Sequence, residues 1–252
     1  MTTTLSTDVA RWLPFGIPPG RVRLYCLPHA GGAASAFRGW LGRIPRVSVC
    51  AVQPPGREIR LRETPHERME SLVAELADVV LGTADGPYAV YGHSLGALVG
   101  FELLREIRRR GGPDPVHLFV SGCAAPHYRY DDGPRVGGMT DEQVVAMLRE
   151  LGGTPEWLLS DPAVLSMIIP PFRADFAVKE TYRYEPESPL DVPITVLAST
   201  DDPRASGASM VAWRDLTTRR FTTHTLVGGH FAVLEQAGLS QAYIAEALRP
   251  WA

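Results

Sequence analysis

The stretch GPYAVYGHSLGALVGFELLREIRRRG, residues 86–111, passes from an apolar, strand-like segment into a serine set between two glycines, and then into a helical pattern. A Gly-x-Ser-x-Gly sequence at a strand-to-helix turn has a mechanical reason. The turn is so sharp that the serine takes a strained backbone, and side chains two residues to either side would collide. Gly92 and Gly96 remove those side chains and lift the Ser94 hydroxyl clear at a helix N-terminus. Free N–H groups and the helix dipole favour negative charge there. The pentapeptide alone also reads as a tight turn. Its position between YAVY and LVGFELL is what points to a nucleophile elbow.

Outward from this junction the chain alternates short apolar runs with helical periods. RVRLYCL (21–27), VSVCAVQ (47–53), YAVYG (88–92), VHLFVSG (116–122), PITVLAS (193–199) and FTTHTLV (221–227) are expected strands. Several are apolar on both alternating faces, as a parallel sheet covered on both sides requires. Helical spacing falls at about 66–81, 95–110, 207–217 and 239–249. The rhythm predicts an α/β fold with a mostly parallel central sheet and right-handed crossovers. Residues 126–190 break it, with MTDEQVVAMLRELGG and DPAVLSMIIPPFRADFAVKETYRY showing helical spacing and several prolines. Thr140 with Gln143 three residues on spells a capping box. This helical insertion is expected to be a lid over the strand ends. Residues 1–20 are expected to be a flexible leader and 21–252 a single domain.

The totals narrow the partners. With 252 residues, 45% apolar, the chain can bury one sizeable core, and its net charge of −3 gives no reason to expect nucleic acid or an anionic membrane. Cys26, Cys50 and Cys123 are odd in number, form no C-x-x-C pair and sit in apolar runs, so buried free thiols in a reducing compartment are expected. The N-terminus has no basic region followed by an apolar stretch, and no run is long enough to span a bilayer. A cytoplasmic, monomeric protein is the expectation.

A serine hydroxyl is a poor nucleophile until a base takes its proton. In this hydrolase type the chain order is serine, acid, histidine. His29, His66 and His93 precede the serine, His117 and His224 sit in strands, and His127 opens the insertion; all six are assigned structural roles. His230 follows VGG after the last strand, on a loop loosened by Gly228 and Gly229, where an imidazole can swing over Ser94. ITVLASTDDPRA offers two acids, Asp201 and Asp202, and spacing alone does not separate neighbours. For the oxyanion hole, one donor is the Leu95 N–H. The other is expected in the glycine-rich LPHAGGAASAF loop after the first strand, at Ala30. That loop lacks the spacing and the lysine of a P-loop.

LPHAGGAASAFRGW, VQPPGRE, YGHSLGALVGFELL, PPFRADFAVKETYRY, LASTDDP and GGHFAVLEQ, in this order, resemble the stand-alone type II thioesterases of polyketide and nonribosomal peptide pathways, over residues 21–248. The resemblance implies an α/β-hydrolase with a helical lid that hydrolyses acyl thioesters on the phosphopantetheine arm of carrier proteins. Aberrant or stalled acyl groups are thereby removed. It implies Ser94 as nucleophile, His230 as base, Ala30 and Leu95 as oxyanion donors, and Asp202, before Pro203, as the acid. The turn ASTDDP lacks the glycine often found there, which keeps Asp201 in play. No metal or bound cofactor is implied, the phosphopantetheine belonging to the substrate. Met167, Ile168, Ile169, Phe172 and Phe176 are candidates for the acyl chamber, although helical spacing makes core packing their default. The arginines of PPGREIRLRE read either as contacts for an acidic carrier or as a solvated loop. Rival readings are a small-molecule esterase, an acyl-transferring or cyclising enzyme, and a non-catalytic scaffold on the same fold.

Overall fold

The apolar runs become strands because helices cover both of their faces. A computed structural model describes residues 7–128 and 135–252, and the Thr7 side chain is not among what it describes. In chain order the elements are α1 (Thr7–Trp12), β1 (Val22–Leu27), β2 (Val47–Ala51), α2 (Met69–Thr83), β3 (Tyr88–His93), α3 (Leu95–Arg109) and β4 (His117–Ser121). An insertion of α4 (Asp141–Leu151), α5 (Glu156–Leu159) and α6 (Pro162–Thr181) follows. The chain then forms β5 (Ile194–Ser199), α7 (Gly207–Val211), β6 (Phe221–Leu226), α8 (Ala232–Glu235) and α9 (Ala237–Leu248).

The six strands form one sheet in the order β2-β1-β3-β4-β5-β6, every pair parallel. Alternate residues feed opposite faces. Tyr25 and Leu27 of β1 pack with α2 and α3, whereas Leu24 and Cys26 face the layer that holds Trp40 and α9. The sheet changes its direction of growth between β1 and β3, the switch point at whose carboxyl ends such sheets bind ligands. Cys26, Cys50 and Cys123 are buried free thiols. Among the described residues no helix is long and apolar enough to cross a membrane.

The expectation of a flexible leader is corrected for the described residues. From Thr7 onward the leader is packed. Trp12 and Leu13 join the core under α2, and the Arg60 guanidinium lies 4.3 Å over the Trp12 ring. A fully buried large apolar side chain contributes about 1.5–3 kcal/mol, enough to hold a short helix down. Pro170 and Pro171 do not break α6, which runs through both. The Asp161 carboxylate caps its start by accepting from the Ala163 N–H at 2.8 Å. The Thr140–Gln143 capping box forms as expected, with the Thr140 N–H donating to the Gln143 side chain at 2.8 Å. The insertion has a small core of its own, in which Val144, Leu148, Leu159, Ile169, Phe172 and Phe176 meet. Positions 129–134 of the expected lid lie outside the described residues.

Candidate active site

Four strand ends converge. Ser94 sits between β3 and α3 with φ 55° and ψ −119°, a conformation that costs about 1–3 kcal/mol and persists only where the surroundings enforce it. They do: the Ser94 N–H donates to the Ser121 carbonyl at 2.8 Å, and the Ala97 N–H donates to the Ser94 carbonyl at 3.0 Å. A Cβ on Gly92 would overlap the Gly96 carbonyl, and one on Gly96 would overlap the Leu27 carbonyl. The glycines are therefore required by backbone approach, as the motif implied.

His230 lies between β6 and α8. Its Nδ1 is 2.9 Å from both carboxylate oxygens of Asp202, with both side chains almost wholly buried. A carboxylate only accepts, so the proton is on Nδ1 and the Nε2 lone pair is left for another group. Asp202 Oδ1 also accepts from the Arg204 N–H at 2.8 Å. Asp201 is exposed and turned elsewhere, accepting from the Thr200 hydroxyl at 2.9 Å. Geometry thus separates the neighbours that spacing left together. The imidazole is paired with Asp202 and packed against the His93 ring at 4.9 Å and the Phe231 ring at 5.1 Å.

Ser94, Leu95, Ala30 and His230 line one cavity. Leu95 is the first residue of α3, so its N–H has no carbonyl one turn back to meet. The Ala30 loop is fastened from below. The Gly31 N–H donates to Asp175 Oδ2 at 2.7 Å, and Arg57 donates to the two Asp175 oxygens at 2.5 and 2.9 Å and to the Gly32 carbonyl at 3.1 Å. Arg57 and Asp175 are both buried, an ion pair joining α6 to the loop. This corrects the surface reading of the arginines. Arg57 and Arg60 are structural and buried, and of the three only Arg62 is exposed.

Of the expected chamber residues, Ile168, Phe172 and Phe176 line the cavity, joined by Leu148, Leu151 and Leu158. Met167 does not; it is 43% exposed, because one step along the helix turns it about 100° away from Ile168. Ile169 packs into the insertion's own core. Sequence reasoning also set His29 aside, yet it lines the cavity. Burial, and then the neighbouring His230 and Arg57 charges, push it down to about 3, so it stays a neutral ring. His93 is likewise held well below its ordinary range, chiefly by burial. Lys179 and Arg204 line the same cavity and were not singled out.

A parallel sheet with a strained serine after its central strand, and an Asp-His pair on the loops after β5 and β6, defines an α/β-hydrolase fold. Comparison with known proteins narrows the class. The thioesterase domain family matches residues 22–251, and the chain belongs to that family. It is 39% identical over 223 residues to the gramicidin S biosynthesis protein GrsT of Aneurinibacillus migulanus, covering 85% of this chain and 84% of the relative. It is 37% identical over 240 residues to the thioesterase PikA5 of Streptomyces venezuelae, covering 92% and 83%. Among solved structures, the type II thioesterase BorB from the borrelidin biosynthetic cluster superposes with a TM-score of 0.82 at 38% identity, covering 92% of this chain and 95% of that one.

Proposed function

We propose that this protein hydrolyses short acyl thioesters from the phosphopantetheine arm of carrier proteins, clearing aberrant or stalled groups in a polyketide or nonribosomal peptide pathway. The observation that carries the reading is the buried His230–Asp202 pair opening on the same cavity as the strained Ser94. The named relatives belong to gramicidin S and borrelidin biosynthesis, which supports the pathway class and its carrier proteins as partners.

In this mechanism Ser94 Oγ attacks the thioester carbonyl while His230 Nε2 takes its proton. Asp202 stabilises the imidazolium and fixes its tautomer. The Ala30 and Leu95 N–H groups receive the oxyanion, a donor of this kind typically contributing about 3 kcal/mol. The C–S bond breaks and His230 returns the proton to the pantetheine thiolate. Water, deprotonated by His230, then releases the acid from Ser94. These groups supply nucleophile, base and oxyanion donors, so the steps call for no metal or bound cofactor. Helices α4–α6 act as the lid and close the acyl side. The cavity holds about 110 Å³. A dry cavity of about 150 Å³ takes a benzene-sized molecule, so an acyl group of a few carbons fits.

The test is intact-mass spectrometry of acetyl-, propionyl- and hexanoyl-carrier proteins with wild type and Ser94→Ala. Free holo-carrier from wild type only is the expected result. An acyl-enzyme that accumulates without release points to transfer or cyclisation, and no acylation at all overturns the carrier reading in favour of soluble esters.

A further inference from the structure

The loop that carries the Ala30 N–H is a tight turn whose shape is held from elsewhere in the chain. The Gly32 N–H donates to the His29 carbonyl at 2.8 Å, and Gly31 between them has φ 75°. A bond from the fourth residue back to the first, with a left-handed glycine third, is the pattern of a type II turn. A planar trans peptide sets its C=O and N–H on opposite sides. The bond that fixes the His29 carbonyl therefore also fixes the direction of the Ala30 N–H, which belongs to the same peptide.

A buried ion pair grips both glycines of this turn. The Gly31 N–H donates to Asp175 Oδ2 at 2.7 Å, and the Gly32 carbonyl accepts from Arg57 at 3.1 Å. Arg57 donates to both Asp175 oxygens and, through Nε, to the Pro55 carbonyl at 3.1 Å, so the guanidinium is itself anchored in the loop after β2. Type I and type II turns differ chiefly by a flip of the central peptide, and Asp175 holds the N–H of that peptide here. Stability alone does not call for charges, since an apolar pair of similar volume is often as stable. Apolar side chains, however, neither accept from Gly31 nor donate to Gly32.

We propose that Asp175, with Arg57, is a positioning residue for the oxyanion hole: helix α6 holds the turn in the form that aims the Ala30 N–H at the oxyanion. The assignment rests on the thioesterase reading above, in which Ala30 and Leu95 are the donors. One helix then serves two ends. Phe172 and Phe176 wall the acyl group, and Asp175, between them in the chain, sets a donor for the reaction.

Two variants separate the turn from the fold. Arg57→Met/Asp175→Leu removes both charges and should keep most of the wild-type Tm. Asp175→Asn leaves Arg57 without its counter-charge and should lower Tm, but still offers Gly31 an acceptor. Each is assayed well below its Tm with propionyl-N-acetylcysteamine and two analogues. With a trifluoromethyl ketone borne on an N-acetylcysteamine thioether, Ser94 Oγ adds to the carbonyl carbon, the C=O electron pair becomes the oxyanion and His230 takes the Oγ proton. S-propyl-N-acetylcysteamine binds without forming an oxyanion. In the double variant kcat/KM and ketone affinity should fall together by about thirtyfold, less than for a donor removed outright because the N–H is only misaimed. Thioether affinity should stay within about twofold, since it reports binding that precedes the transition state. Asp175→Asn should keep kcat/KM and ketone affinity within about threefold of wild type, the Gly31 hydrogen bond being retained.

A folded double variant with wild-type kcat/KM overturns the proposal. So does an equal loss for ketone and thioether, which would mean a disturbed chamber rather than a misaimed donor. An Asp175→Asn loss as large as the double variant's overturns it too, because charge and not the Gly31 hydrogen bond would then matter. The parent reading is checked in wild type. Propionyl release that is absent, or that persists in Ser94→Ala, would sink the thioesterase assignment itself, whereas an active wild type beside an equally active double variant sinks only the role of Asp175.

Discussion

The strand ends and the α4–α6 insertion build one cavity by different means. At the strand ends, main chain does the placing: glycines at 92 and 96 and the Ser121 carbonyl of the neighbouring strand set Ser94, and a turn in which the Arg204 N–H donates to Asp202 sets that carboxylate. In the insertion, placement depends on partners far along the chain. Asp175 is positioned by Arg57, 118 residues earlier, and Phe172 packs against Gly31 of the first loop. Changes at the strand ends should therefore strike the reaction and leave the fold. Changes in the insertion should strike stability or substrate preference first.

The largest expected effect tests the strand-end half. Asp202→Asn should keep the fold and lower kcat by about ten-thousandfold, because an amide favours the wrong histidine tautomer. Asp201→Asn, at an exposed position, should stay within about twofold, as surface substitutions usually do. Steady-state hydrolysis of propionyl-carrier protein measures both. Equal losses would mean that the acid is shared or reassigned, and the local account would fail.

The insertion half is tested by Asp175→Ala. Removing one partner of a buried ion pair leaves an uncompensated charge, at a cost of about 3–5 kcal/mol. For a chain of this size that is a drop of roughly 6–20 °C in Tm. The double variant Arg57→Met/Asp175→Leu should recover most of it, since replacing both members with apolar groups is often neutral. A single variant with wild-type Tm would show that the loop is held without the pair.

These two tests also mark how far the sequence could be read. Ser94, His230 and the aspartate pair were legible because strand, turn and glycine are local signals. The 2.9 Å contact then tells Asp202 from Asp201 as the carboxylate that pairs with His230. Arg57 was not legible. An arginine in a Pro-Gly loop reads as solvated by default, and nothing nearby in the chain announces a carboxylate 118 residues on. His29 was set aside because chain order governs which histidine is the base, and chain order says nothing about what lines a cavity. Trp12 and Leu13 were missed since a six-residue helix is too short to show periodicity.

A smaller effect comes from the neutral histidines, which serve both halves. Unfolded His29 takes up a proton below its ordinary value of 6.5, whereas the folded side chain, pushed down by burial to about 3, does not. Between those values the unfolded state binds more protons, so stability falls as pH falls. At pH 5 the loss from His29 alone is about 2 kcal/mol relative to pH 8. His117, lowered to about 4 by burial, adds in the same direction. Thermal melts from pH 8 to 5 should show the decline, and His29→Gln should flatten it. A wild-type Tm independent of pH in this window would mean that the histidines are hydrated.

The smallest expected effect divides two neighbours on α6. Met167 points to solvent and Ile168 to the chamber. Met167→Ala should leave both Tm and kcat/KM within experimental scatter, as exposed substitutions typically cost under about 0.5 kcal/mol. Ile168→Ala removes apolar wall from the acyl side, and should change the hexanoyl-to-acetyl ratio by about tenfold, the usual scale for a few methylenes in an apolar pocket. If the enlarged chamber accepts the longer chain better, the ratio rises; if the lost contact dominates, it falls. Either shift places Ile168 in the chamber. A shift in Met167→Ala of the same size would instead mean that α6 rotates when substrate enters, and that the insertion's face is set by the ligand as much as by Arg57 and Asp175.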